Sequence, residues 1–149
     1  MKQTRLKAKD VNKELGLELS KKDQCILKED SHKILYINNE PSFFYYNDKP
    51  VPTLKYLQTH ERLKKITVDM GAVKFVVNGA DIMRPGITEI EDGIQRDDFI
   101  VIIDQNNKKP LSVGIAQLGT EELREATSGK VIKIEEWGLI NLSRKINNY

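Results

Sequence analysis

The sequence predicts an α+β protein, a small α/β unit packed on a mostly antiparallel β barrel. Three observations point there. Short β-branched and aromatic runs recur at close intervals, separated by turn residues such as Asn38-Asn39-Glu40-Pro41 and Asn47-Asp48-Lys49-Pro50. Helical periodicity is confined to a few short stretches. No Gly/Pro/Ser-rich linker divides the chain, so its 149 residues are expected to form two units, 1–64 and 65–149, sharing a tight interface.

The N-terminal unit opens with Leu6, Val11, Leu15, Leu17 and Leu19, an imperfect helical stripe that predicts a helix from Lys7 to Leu15 ended by Gly16. Lys2, Arg5, Lys7 and Lys9 are expected to be frayed and solvated. Strands are expected at 24–28, 33–37 and 42–46, a three-stranded antiparallel meander. In the last of them Phe43, Phe44, Tyr45 and Tyr46 stand in a row, which requires cover on both faces. Pro52-Thr53 then opens a short helix carrying Leu54 and Leu57, and Ile66 to Asp69 is a strand.

The second unit begins with the most informative stretch, Val68 to Ile87. Asp69 is an N-cap for a helix from Met70 to Asn78, whose Val73, Val76 and Val77 share one face with Phe75 at its edge. Lys74 and Asn78, four apart, lie on the solvent side, and Gly79 is a left-handed stop. Ile82 to Arg84 resumes as a strand, and Pro85-Gly86 turns. Beyond it, 88–98 reads as an acidic loop, 99–104 as a buried strand and 110–118 as a strand carrying Gly114. Thr120 is an expected N-cap for a short helix ending near Ser128-Gly129. Strands over 130–137 and 139–142 and a polar tail close the chain.

Several function classes are excluded by inspection. The longest apolar run, Phe99 to Ile103, has five residues, far short of a membrane-spanning helix. No apolar segment follows the Lys-rich start, so no secretory signal is expected and a cytosolic location is the default. The single cysteine, Cys25, reads as a small buried hydrophobe, and His32 and His60 have no ligand spacing, so neither metal nor cofactor is expected. Phosphate-loop, dinucleotide and nucleophile-elbow motifs are all missing. The carboxylates form no convergent pair: Asp69 is explained as a cap and Asp104 as a turn residue.

Charge is unevenly distributed. Residues 1–65 hold fourteen Lys/Arg and nine Asp/Glu, a balance of +5; residues 66–149 hold ten and thirteen, a balance of −3. Either an anionic partner meets the first half or its lysines simply form a solvated face. Physical reading of Val68–Ile87 leaves two options as well. The glycines merely permit tight turns and Arg84 is a surface residue, or a small helix and bare glycine loop bring backbone close to RNA phosphates and sugars.

The run Val68-Asp69-x-Gly71-Ala72-Val73-Lys74-Phe75-Val76-x-Asn78-Gly79-Ala80-Asp81-Ile82-Met83-Arg84-Pro85-Gly86-Ile87 resembles the opening signature of the PUA domain. That is an RNA-binding module named after pseudouridine synthases and archaeosine transglycosylases. The likeness extends over 65–142, through Phe99 to Asp104, Ser112 to Ala116 and Gly129 to Ile132. Asn39-Glu40-Pro41 to Phe44 and Val51 to Leu54 resemble the region before the PUA domain in the malignant-T-cell-amplified-sequence family. These are translation-associated proteins related to ligatin.

The resemblance implies a PUA pseudobarrel with an N-terminal α/β extension. By position it implies RNA contacts at Lys74, Asn78, Gly79, Ala80, Asp81 and Arg84, with Lys130 and Lys133 from the closing strands. Where the family often ends with a Tyr-x-Gly-Asp-x-Leu-Trp-like segment, this chain has Trp137-Gly138-Leu139-Ile140-Asn141-Leu142. The expected function is non-catalytic recognition of structured RNA (tRNA or rRNA), linked to translation and the small ribosomal subunit. A protein-interaction subunit docking a translation factor through the Phe43–Tyr46 run is the alternative. An RNA-modification enzyme or accessory subunit ranks last, because residues 1–64 carry no nucleophile motif.

Overall fold

A computed structural model describes residues 1–134. Two sheets account for most of that length. The first runs in chain order through β1 (Lys2–Leu6), β2 (Cys25–Glu29), β3 (Lys33–Ile37), β4 (Glu40–Tyr46) and β5 (Lys49–Pro52), antiparallel throughout. The expected meander therefore has five strands. The first residues are not frayed: β1 pairs with β2 from Lys2↔Glu29 to Leu6↔Cys25. Its sequence is mostly polar because only Thr4 and Leu6 are partly covered, so periodicity carried no signal. Asn47 and Asp48, both at positive φ, make the two-residue turn that turns β4 directly into β5.

Helix α1 (Ala8–Leu15) crosses this sheet and stops at Gly16, whose φ is 67°. Val11 and Leu15 bury against Cys25, Leu27, Leu35, Ile37 and Phe43. Burial, with the nearby charge of Asp23, pushes the Cys25 thiol above its ordinary value, as befits an inert core cysteine. Arg62 donates from Nη2 to the Leu15 carbonyl at 2.6 Å, satisfying a free carbonyl at the end of α1. Helix α2 is a single turn, Leu54–Leu57, capped by the Thr53 hydroxyl, which accepts from Tyr56 N at 3.1 Å.

The second sheet has the order β7-β11-β10-β9-β6-β8, with β6 (Lys65–Val68), β7 (Ile82–Met83), β8 (Ile87–Ile90), β9 (Phe99–Asp104), β10 (Pro110–Ala116) and β11 (Lys130–Ile134). All pairs are antiparallel except β6 with β9. Strand β8 falls at the start of the stretch expected to be loop; Thr88 and Glu89 are exposed, and their pairing with β6 makes the strand. Gly114 permits close approach of β10 and β11, since a Cβ there would lie 2.8 Å from Ile132 Cγ2 and 3.0 Å from the Lys133 carbonyl. The barrel core is Ile66, Val68, Ile100, Ile102, Ile132 and their neighbours.

Helices α3 (Val73–Val77) and α4 (Thr120–Glu125) close the barrel. Thr120 is not the N-cap. Its hydroxyl accepts from Ile94 N at 2.8 Å and donates to the Glu91 carbonyl at 2.7 Å, tying the 91–94 loop to α4, and Gly119 occupies the cap. Helix α4 ends at Glu125, before Ser128-Gly129. The expected continuation of β11 to Trp137, the 139–142 strand and the tail lie outside the described residues.

Alternation along β4 joins the two sheets. Phe43 faces the α1 side, where its ring meets Tyr56 at 4.7 Å, while Phe44 and Tyr46 face the barrel and meet Phe99 at 5.9 and 5.3 Å. Phe44, Val51 and Leu57 bury with Val101, Ile103 and Val113 of the barrel. The aromatic run is thus covered on both faces, each face by a different core. Among the described residues no helix is long and apolar enough to cross a membrane.

Candidate nucleic-acid interface

The region from Asp69 to Arg84 is built by local capping. Asp69 Oδ1 accepts from Ala72 N at 2.9 Å, as expected of a cap, but 69–72 form turns and the helix starts only at Val73. Val73 and Val76 are buried and Val77 packs beside them, the expected apolar face. At the other end Gly79, with φ 91°, donates to the Val76 carbonyl at 3.0 Å, and Ala80 N reaches the Phe75 carbonyl at 3.0 Å. These two bonds are a Schellman stop, which requires the left-handed conformation at Gly79.

The outward side carries Lys74, Asn78 and Ala80, all exposed, with Gly79 partly so. Phe75 departs from expectation. Instead of packing at the helix edge it is 57% exposed, with the Lys74 ammonium 5.2 Å from its ring centroid. Apart from Met1, every exposed large apolar side chain among the described residues lies here: Met70, Phe75 and Met83. Phe75 is the residue that sequence reasoning missed. Its signal was available, because at about 100° per residue Phe75 points away from the face that Val73, Val76 and Val77 share.

The remaining residues divide differently. Asp81 is a latch on β11, where Oδ1 accepts from Ile134 N at 2.8 Å and Oδ2 lies 3.1 Å from Lys130 Nζ. Arg84 donates from Nε to the Leu123 carbonyl at 2.6 Å and from Nη1 to the Ile87 carbonyl at 3.2 Å, and its backbone N–H meets the Gly129 carbonyl at 2.9 Å. It ties α4, β8 and the approach to β11 together, which a free surface arginine would not do. Lys133 projects from the outer face of β11, beyond the core, and shares a polar groove with the 29–33 and 45–48 turns. So Lys74, Asn78, Gly79 and Ala80 form one exposed end, Asp81, Arg84 and Lys130 brace it, and Lys133 stands elsewhere.

Asp104 is fully buried; burial alone would raise its carboxyl, but N–H bonds from Asn107 and Lys109, each 2.8 Å, outweigh this and hold it below the ordinary carboxylate range. It is a turn-closing acceptor. Among the described residues no three His, Cys, Asp or Glu side chains are placed to hold a metal.

Residues 64–137 match the family model of the PUA domain, and residues 2–60 match that of a domain of unknown function, DUF1947. Translation machinery-associated protein 20 of Saccharomyces cerevisiae is 33% identical, over 86% of this chain and 74% of its own length. The chain belongs to this family of PUA-domain proteins. The malignant T-cell-amplified sequence 1 homolog of Drosophila melanogaster is 32% identical, over 85% of this chain and 73% of its own. A hypothetical protein of Pyrococcus horikoshii superposes with TM-score 0.78 at 27% identity, covering 95% of this chain and 99% of that one. A chain from an H/ACA ribonucleoprotein bound to a substrate RNA superposes with TM-score 0.50 at 30% identity, covering 59% of this chain and 26% of that one. Family membership in turn accounts for the α+β fold.

Proposed function

We propose that this protein is a non-catalytic RNA-binding protein that recognises structured RNA, tRNA or rRNA, through the exposed end of α3, and that it acts with the translating ribosome at the small subunit. The single observation that carries the proposal is Phe75, exposed beside Lys74 at the glycine stop of a PUA domain. A bare aromatic ring in water costs the chain hydrophobic burial, and it suits stacking on an unpaired base. Lys74 supplies a phosphate contact, and the Gly79–Ala80 backbone allows close approach of a sugar. A domain charge of −3 calls for recognition by fit, with few phosphate contacts. The translation-related names of the relatives and the RNA-bound H/ACA particle point the same way.

The docking alternative loses its first motive, since Phe43 and Phe44 are buried and Tyr45 and Tyr46 half-buried within the chain. Titration of a tRNA transcript tests the proposal. Lys74→Glu and Phe75→Ala should each weaken binding by about fivefold or more, the lower end for a lost stacking contact. Wild-type affinity in both variants would sink this surface, and tRNA modification lost in a deletion strain would revive an enzymatic role.

A further inference from the structure

The five-stranded sheet has one face under α1 and another turned toward the barrel. Register assigns the charges. Lys2, Glu29, Lys33 and Glu40 share the α1 side, following the pairs Lys2↔Glu29, Glu29↔Lys33 and Ile37↔Glu40. On the opposite face the strands carry Arg5, Lys28 and Lys49 and no acidic residue. The barrel covers only part of that face, through Ile34, Phe44, Tyr46 and Val51. Beyond it the row Arg5–Ile26–Tyr36 crosses β1, β2 and β3, with Lys28 on the neighbouring row. Arg5 is exposed; Ile26, Lys28 and Tyr36 are half-buried.

We infer that this part of the sheet, left uncovered by the barrel among the described residues, is a second RNA-binding surface, one that takes an unpaired segment by stacking a base on Tyr36 between Arg5 and Lys28. The inference rests on the RNA-binding reading above and adds a site to it. Protection of a sheet edge explains Lys2 and Arg5 on β1, because charged side chains discourage edge pairing. It does not explain Lys28, which sits on an interior strand with its ammonium 4.2 Å from the Tyr36 ring centroid. That contact keeps a cation over an aromatic face, and an incoming base takes its place while the ammonium moves to the flanking phosphate. Aromatics and cations on a flat sheet are what unpaired RNA requires: π-faces for bases and charge for the backbone. The chain's imbalance then has a location, since the half with +5 holds a face free of carboxylates in its strands.

The test titrates the full chain with a twelve-residue oligouridylate across a salt series, and separately with a tRNA transcript. Arg5→Gln/Lys28→Gln should lower the slope of log affinity against log salt by about 1.4, two single-strand phosphate contacts. Tyr36→Leu should weaken oligouridylate binding by about fivefold or more at unchanged slope, because stacking carries no counterions. Lys9→Gln/Lys13→Gln removes the same charge from α1 and should change the slope little. The inference is overturned if that control matches the Arg5/Lys28 variant, if Tyr36→Leu binds as wild type, or if polyglutamate of equal charge binds as tightly as oligouridylate. In each of those outcomes, a tRNA affinity still sensitive to Lys74→Glu leaves the α3 reading standing. If the wild type binds neither RNA, both fall together.

Discussion

Arg84 Nε donates to the Leu123 carbonyl at 2.6 Å, so the side chain expected to meet RNA is bound to the last turn of α4. A cation at a helix C-terminus answers both the free carbonyls and the helix dipole there. A second nitrogen holds the Ile87 carbonyl, so one guanidinium fixes two elements that follow it in the chain.

Arg84→Ala should therefore lower unfolding free energy by about 1.5–3 kcal/mol, the range for hydrogen bonds to a charged group. Arg84→Lys should recover only part, since a point charge cannot reproduce the fork. Urea titration followed by circular dichroism measures both. Loss of RNA affinity by folded Arg84→Ala without a stability change would assign the residue to binding instead.

Gly79→Ala tests the Schellman stop. At φ 91° a Cβ is strained, and the cost should be about 1–2 kcal/mol, with Asn milder than Ala. Thermal melts of the two variants give the ordering. Equal melting temperatures for Gly79→Ala and wild type would show that the stop contributes nothing.

Two phenylalanines should behave oppositely. Phe44→Ala empties the contact between sheet and barrel and should cost about 3–5 kcal/mol. Phe75→Ala removes a ring more than half exposed and should stay within about 0.5 kcal/mol while weakening RNA binding. Comparable destabilisation of both would remove the reason for calling Phe75 available.

Asp104 sets a pH dependence. Its folded carboxyl is held below the ordinary range, so its stabilisation is complete at neutral pH. That stabilisation fades as pH falls through about 4, where the unfolded carboxyl protonates, and is gone below the folded value. Asp104→Asn should cost about 1–3 kcal/mol at pH 7 by leaving an N–H from Asn107 or Lys109 poorly satisfied. It should also flatten the stability profile between pH 5 and pH 3 relative to wild type. Parallel urea midpoints for the two proteins over that range would contradict the assignment.

Much of this protein follows from sequence alone because the deciding physics is local. Gly16 and Gly79 end helices by a conformation glycine adopts freely, and Asp69 closes the turn ahead of α3 through a bond three residues long, though Ala72 takes the cap position expected of it. The period of two along Ser42–Tyr46 already requires cover on both faces, and Val73, Val76 and Val77 show their face by helical spacing. The PUA signature adds the barrel that residues 65–134 form.

Other features depend on chain paths that no short window contains. Polar β1 and β8 are strands because neighbours supply their hydrogen-bond partners. Arg84 is a brace because α4 delivers the Leu123 carbonyl from 39 positions away. Cations on separate strands share one face of the first sheet because the register aligns Arg5 with Ile26 and Tyr36, with Lys28 one row over. Caps and periods are written within a few residues of one another; register and long-range hydrogen bonds exist only after the chain has closed on itself.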